Sequence, residues 1–366
     1  MSTGQLVAPR LGRSDRAELA EGVAAACAKW FPLPVTKERT SDSPLDRAAW
    51  AGLCRELSPL GLRLPVERGG AALPLAYLAV VSEAAGAALV PAPLTTGAAI
   101  TAPLLAAVDA EILPSFLDGS AIVSTHDGRS LTSCEAVDGW RVSGSVSLVE
   151  WACDADGLLV TLDSAEEDWL ELGWTPLPVG GAQLERLGRV DATRSAARVT
   201  LTEVPVTRLG RVSKRFVAQL RTEAMLLCAA EAIGASTAML TQTIEYAKLR
   251  TQFGHPIGSF QAVQHRLADL HGELESARAA LWAAVDSDAD ADATDIEPAA
   301  LVASIRASQA AELVGREGLH LHGGIGFTWE HDAHLYFKRA LSGAQDFGGI
   351  PARLRALADL LAASSI

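Results

Sequence analysis

The segment RTQFGHPIGSFQ, residues 250–261, gathers groups that could hold a phosphorylated aromatic ligand. Arg250 supplies a fixed cation whose planar fork matches a pair of phosphate oxygens. Gln252 adds an amide, Phe253 and Phe260 add aromatic faces, and Gln261 closes the segment. Gly254, Pro256 and Gly258 interrupt any helix, so these groups stand at a corner between two helices. The same spacing also fits a plain helix–loop–helix corner with Arg250 paired to an acid. A second segment, HLHGGIGFTWEHD, residues 320–332, places Gly323, Gly324 and Gly326 after a helical pattern. Glycines there permit positive φ and close backbone approach. Their N–H groups, with His320 alongside, could receive a ligand's polar edge. A glycine helix stop has the same composition.

His320, His322, His331 and His334 lie close enough in sequence to suggest a metal. Their spacing matches no established ligand set and HExxH is absent, so no metal is expected. GxSxG, Walker A and GxGxxG elements are also absent. An α/β-hydrolase, a P-loop enzyme and a doubly wound dinucleotide fold therefore have no support.

The elements that must position these groups fall into three zones, 1–118, 119–211 and 212–366. In the first, DRAAWAGLCREL and LAYLAVVSEAAGAAL space apolar residues three and four apart, as helices do, and Pro and Gly break them. In the second the period becomes two: GWRVSGSVSLV, DGLLVTL and AARVTLTEVPV predict antiparallel strands. In the third, helical patterns cover 215–247, 261–284, 297–322 and 351–362. The aspartate-rich stretch at 286–298 lacks the order and glycine of a calcium loop and is expected to be a solvated connection. The fold expected is α+β and multidomain: an N-terminal helical domain, a middle antiparallel β-domain and a C-terminal four-helix bundle.

The net charge of −13 argues against a nucleic-acid or anionic-membrane surface, either of which needs a basic face. Cys27, Cys54, Cys134, Cys153 and Cys228 are scattered, so buried free thiols of a cytoplasmic protein are expected. The N-terminal stretch has no apolar core of a signal peptide, and no unbroken apolar run reads as a membrane span.

Taken together, four segments resemble the acyl-CoA dehydrogenase family. These are GLRLPVERGGAALPLAYLAVVSEAAGAALVPAPL (61–94), RVDATRSAARVTLTEVPV (189–206), YAKLRTQFGHPIGSFQAVQHRLADL (246–270) and LHLHGGIGFTWEHDAHLYFKRA (319–340). The resemblance covers most of the chain and implies the same three-part fold. It implies FAD as cofactor and α,β-dehydrogenation of an acyl-CoA thioester: a glutamate takes the α-proton and the flavin the β-hydride. An electron-transfer flavoprotein or similar acceptor would reoxidise the flavin.

The sequence departs from the family on one side only. The family's "T-E-P-x-x-G-S-D" loop is replaced by STHDGRSLTSCEAVDG (124–139). Its "G-x-K-x-W-I-T" strand corresponds to GSVSLVEWA (144–152), with Ser147, Leu148 and Val149 in place of Trp-Ile-Thr and Trp151 out of register. The two positions for a catalytic base fall on Phe347 and Ala224. Their neighbours Asp346 and Glu223 are rotated about 100° or displaced. Gln, three residues before the double glycine in many members, is His320. The flavin of the family lies at a dimer interface. One subunit gives the loop, the strand and the base, and its neighbour gives the arginine and glycine segments. Only the neighbour's set is kept: Arg250, Gln252, Phe253, Phe260, Gln261, His320, Gly323, Gly324 and Gly326. The resemblance thus implies a partner subunit in a heteromeric, α2β2 dehydrogenase of the actinobacterial kind, acting on a bulky acyl group such as a steroid side chain. The alternatives are a homo-oligomer with an atypical base, Glu223 or Asp346, and a non-catalytic flavin-binding or scaffold protein.

Overall fold

The computed structural model describes residues 11–39, 43–127, 131–136, 139–287 and 296–363. Most of the aspartate-rich connection and part of the 124–139 loop lie outside them. The N-terminal region holds α1 (Arg13–Trp30), α2 (Leu33–Glu38), α3 (Arg47–Leu57), α4 (Leu75–Ala87), α5 (Leu94–Thr96), α6 (Ala102–Ala107) and α7 (Leu113–Leu117). Asp46 starts α3 by accepting from the N–H groups of Ala48 and Ala49 at 3.0 and 3.1 Å. Helix α4 is apolar all round and buried along nearly its whole length, as a core helix must be.

Seven strands follow: β1 (Val123–Asp127), β2 (Leu131–Ala136), β3 (Gly139–Glu150), β4 (Gly157–Asp163), β5 (Trp169–Pro176), β6 (Ala182–Arg186) and β7 (Ala196–Ser213). Their order is β1-β4-β5-β7-β3-β2, with β6 also on β7. The sheet differs from the expected all-antiparallel one in a single pair, because β1 runs parallel to β4. Period-two alternation identifies which face a residue uses, not which strand it pairs with. Strand β4 is buried on both faces. Leu158 and Val160 pack inside the β-domain, while Leu159 packs against the helical core. The unbroken apolar run GLLVTL follows from that double burial.

The C-terminal region holds α8 (Lys214–Leu249), α9 (Gln261–Ser287), α10 (Glu297–His322), α11 (Ala333–Gly343) and α12 (Gly349–Ala363). The short hairpin strands β8 (Thr251–Gln252) and β9 (His255–Pro256) lie between α8 and α9. Helix α11 was not expected as an element of its own. By length and composition α8 could cross a membrane, but 72% of its most apolar stretch is buried inside the protein. Ion pairs Arg266–Glu317 and Arg306–Glu273 tie α9 to α10. Of the five free cysteines only Cys27 and Cys54 are fully buried; Cys134 is exposed, which corrects the expectation of uniformly buried thiols.

Helices α4 and α8 meet backbone to backbone. A Cβ on Gly234 would stand 1.8 Å from the Glu83 carbonyl oxygen, and one on Gly86 would stand 2.0 Å from that of Glu231. Neither obstacle is a flexible side chain. Gly234→Ala should therefore destabilise the protein by about 3 kcal/mol, the upper range for overpacking. Urea unfolding of the variant checks this; a loss below about 1 kcal/mol would show that the helices can separate.

Candidate functional site

The antiparallel run of α8, α9 and α10 brings the C-terminal ends of α8 and α10 to one end of the bundle, and with them both signature segments. The Arg250 N–H closes α8 by donating to the Tyr246 carbonyl at 2.8 Å. The chain then reverses in a tight hairpin in which Thr251 pairs with Pro256 and Gln252 with His255. Its two turn residues, Phe253 and Gly254, both have positive φ (54° and 81°), as a two-residue reverse turn of this hand requires. The turn leaves the Phe253 ring 90% exposed, edge-on to Phe260 at 6.3 Å. Arg250, Gln252, Phe260 and Gln261 are exposed as well.

At the end of α10, Gly323 takes φ 62° and caps the helix. A Cβ on Gly323 or Gly324 would meet nothing within 4 Å, so both face open space. Gly326 is different. It is buried, and a Cβ there would press on the His322 Cβ at 2.9 Å. Its small size serves packing of the turn. His320 is exposed, whereas His322 is buried and stacks on Tyr246 at 4.7 Å. Around this corner, Leu249, Phe253, Ile325, Phe327 and Trp329 expose large apolar surface. Among the described residues no group of three or more His, Cys, Asp or Glu is arranged to hold a metal.

The two positions that the family resemblance gives to a base, Ala224 and Phe347, have different surroundings. Ala224 is fully buried and lines neither large cavity. The Glu223 carboxylate accepts from Arg63 at 2.7 Å and from the Gln219 amide at 3.1 Å, so it is a buried tie between α8 and the N-terminal region. Two cavities, of about 690 and 330 Å³, lie between the β-domain and the helices. Phe347 lines both, together with Thr161, Val217 and Arg221. It sits in a strap where Phe347, Gly348 and Gly349 have φ of 54°, 84° and 78°. The smaller cavity also carries the Glu150 carboxyl, Trp151 and Leu148. Leu148 and Trp151 both have positive φ. The pairing of β3 with β7 slips between Val146 and Val149, a bulge that turns Leu148 outward.

Several known proteins resemble this chain. The family description "Acyl-CoA dehydrogenase, C-terminal domain" matches residues 215–348. Acyl-CoA dehydrogenase IpdE2 of Mycobacterium tuberculosis is 36% identical over 340 residues, 90% of this chain and 92% of that one. The chain belongs to the acyl-CoA dehydrogenase family. IpdE2 of Mycolicibacterium smegmatis is also 36% identical, over 94% of this chain and 97% of that one. Among solved structures, the Tcur3481-Tcur3483 steroid ACAD superposes with TM-score 0.82 at 31% identity, over 96% of this chain and 98% of that one. The ChsE4-ChsE5 complex from Mycobacterium tuberculosis shares the fold, with TM-score 0.85 at 24% identity over 95% of this chain and 97% of that one.

Within this family member, charged groups that showed no motif in sequence meet at the junction of the three regions. Arg339 of α11 donates to Asp191 at 2.5 Å and also to Glu231 and Thr193. Arg194 pairs with Glu231, which accepts from Thr95 at 3.0 Å. Burial alone would raise both carboxyls, but Arg339 and Arg194 bring Asp191 and Glu231 below the usual carboxylate range. Asp346 shows the reverse. Burial, and then the nearby Glu150 charge, push it up to about 7. A carboxyl raised in the fold favours folding while protonated and loses that contribution as pH rises through its folded value. Asp346→Asn should then stabilise the protein at both pH 5 and pH 8, and by about 2 kcal/mol more at pH 8. Chemical denaturation at the two pH values measures this, and an equal effect at both would show that Asp346 is not held protonated.

Proposed function

We propose that this chain is the partner subunit of a heteromeric, FAD-dependent acyl-CoA dehydrogenase. It completes the flavin site of a catalytic subunit and does little chemistry in its own cavities. The observation that carries this reading is the contrast between the two sides. The corner with Arg250, Gln252, Phe253, Phe260, Gln261, His320, Gly323 and Gly324 is open and faces outward, while the position for a base holds Phe347. A guanidinium, amide groups and open glycine backbone fit a pyrophosphate-bearing dinucleotide approaching from a neighbouring subunit. The inner cavity does not fit a flavin equally well. Glu150 brings a carboxyl group to its edge, and Phe347 lines it at a position that the family resemblance gives to a base. When bound, the flavin supplies the hydride acceptor.

Under this reading Arg250 neutralises phosphate charge, Phe253 and Phe260 cover apolar parts of the cofactor, and Gly323 and Gly324 admit it close to the backbone. Support for the heteromer and for a bulky, steroid-type acyl-CoA comes from the likeness to the Tcur3481-Tcur3483 steroid ACAD. A cytoplasmic location and an electron-transfer flavoprotein as acceptor complete the proposal. Purified alone, the chain should be colourless. Coexpressed with a cognate catalytic dehydrogenase subunit it should copurify as a yellow α2β2 complex. A yellow, active homo-oligomer of this chain alone would overturn the proposal.

One observation favours a second reading, a self-sufficient enzyme. Asp346, which burial and the Glu150 charge push up to about 7, adjoins Phe347, which lines both cavities. Asp346→Asn would then abolish turnover, whereas in the partner-subunit reading it leaves turnover intact.

A further inference from the structure

The two segments of the proposed half-site are joined by three aromatic rings. Tyr246, one turn before Arg250, stacks on His322 with centroids 4.7 Å apart and planes 27° apart. His322 meets His331 at 4.3 Å, and His331 stands edge-on to Tyr246 at 6.1 Å. The three rings come from α8, from α10 and from the turn ahead of α11. They form a direct side-chain link between the end of α8, which leads into the arginine hairpin, and the glycine turn.

The hydrogen bonds around the rings fix both histidines as neutral tautomers. His322 Nδ1 faces the Gly318 carbonyl at 2.7 Å, so it carries the hydrogen and donates. Its Nε2 is then a bare acceptor, buried and without a partner. His331 Nδ1 accepts from the Ala333 N–H at 3.1 Å, so there the hydrogen belongs on Nε2. A proton added to His331 Nδ1 would remove this acceptor from the first N–H of α11. It would also place positive charge at a helix N-terminus, where it is unfavourable. A proton added to His322 would be buried at an unpartnered atom, 4.3 Å from the other ring.

We propose that Tyr246, His322 and His331 are positioning residues: a clasp that holds the arginine hairpin and the glycine turn in one arrangement, and that opens on acidification. The groups around it compensate only in part: Asp332 favours a charge on His331 and the Gly318 carbonyl one on His322, but burial outweighs both. Asp332, beside His331, is itself paired with Lys37 of α2 at 2.8 Å. Lys37 opposes a charge on His331, and Lys338 and His334 of α11 add no negative charge. Burial lowers His322 first, with His331 adding to it, and burial likewise lowers His331. A histidine lowered in the fold stabilises above its unfolded value near 6.5, and that contribution is lost as pH falls below it. The clasp is therefore closed at neutral pH and is weakened as pH falls below the histidines' unfolded value.

The importance of the clasp for cofactor binding rests on the half-site reading; its opening does not. The test is hydrogen exchange of the full chain at pH 7.5 and 5.5, corrected for intrinsic rates. Exchange across 250–261 and 323–333 should rise at least about tenfold at the lower pH, one decade per unit of titration. The double variant His322→Phe/His331→Asn keeps a ring in the stack and an acceptor for Ala333 but cannot titrate, and its rise should be absent. An unchanged wild-type pattern, or the same rise in the double variant, overturns the clasp. If the variant does not fold, nitrogen NMR of the wild type decides. Nδ1–H on His322, Nε2–H on His331 and titration below 6.5 support the clasp, and mixed tautomers overturn it. A yellow homo-oligomer would refute the half-site reading and leave these outcomes untouched.

Discussion

Replacing Arg339 by methionine should cost about 3–5 kcal/mol, the usual cost of removing one partner from a buried ion pair. The side chain is 5% exposed and its fork is shared among Asp191, Glu231 and Thr193. Methionine fills much of the volume, so the loss reports charge rather than a cavity. Arg194 still holds Glu231, but Asp191 keeps only the Thr193 N–H and hydroxyl, at 3.0 and 2.6 Å. The loss should couple to Asp191→Asn by more than 1 kcal/mol in a double-mutant cycle, because the two share one contact. Both carboxyls are held below the usual range, so the cluster stabilises above about pH 4 and fades as pH falls through their folded values. The variant should show a smaller acid-induced loss than the wild type. Urea titrations at pH 7 and 4 measure both effects, and a cost under about 1 kcal/mol would make the cluster incidental.

Arg250→Met should weaken flavin retention in the assembled enzyme by about ten- to a hundredfold, the range for losing charge-assisted bonds to phosphate. The chain's own stability should hardly change, because Arg250 lies on the surface beyond the end of α8. That separation makes the test sharp. Equal urea midpoints with lost flavin support the half-site, and unchanged flavin binding removes Arg250 from it. Arg250→Lys should recover only part of the affinity, since an ammonium cannot make the paired contact.

The sequence reading found the long helices because their apolar spacing is regular. The pattern at 297–322 coincides with α10, and that at 215–247 with all but the ends of α8. Helix α11 escaped notice because its buried face includes His334 and Arg339, which do not look apolar. The parallel partner of β1 was not legible either, since alternation carries no information on pairing. In the site, the exposed corner was legible because arginine, aromatics and glycine concentrate in short segments. The cluster of Asp191, Arg194, Glu231 and Arg339 was not. Its members are up to 148 residues apart and each passes for a surface charge. The one local hint is D-x-T at 191–193, an aspartate bonding the backbone two residues ahead. Glu223 is the converse case, a nominal base whose neighbours in space make it a structural tie.

The close backbone approach of α4 and α8 at Gly86 and Gly234 also governs where this molecule can breathe. Two helices whose backbones touch have no compliant layer of side chains between them, and close-packed interiors resist shear. Helices α4 and α8 are thereby welded into one stiff spine running from the N-terminal region into the bundle. Any widening of the cavities must then be absorbed on their far wall. The strap Phe347–Gly349, with three successive left-handed residues, is the hinge best placed to yield.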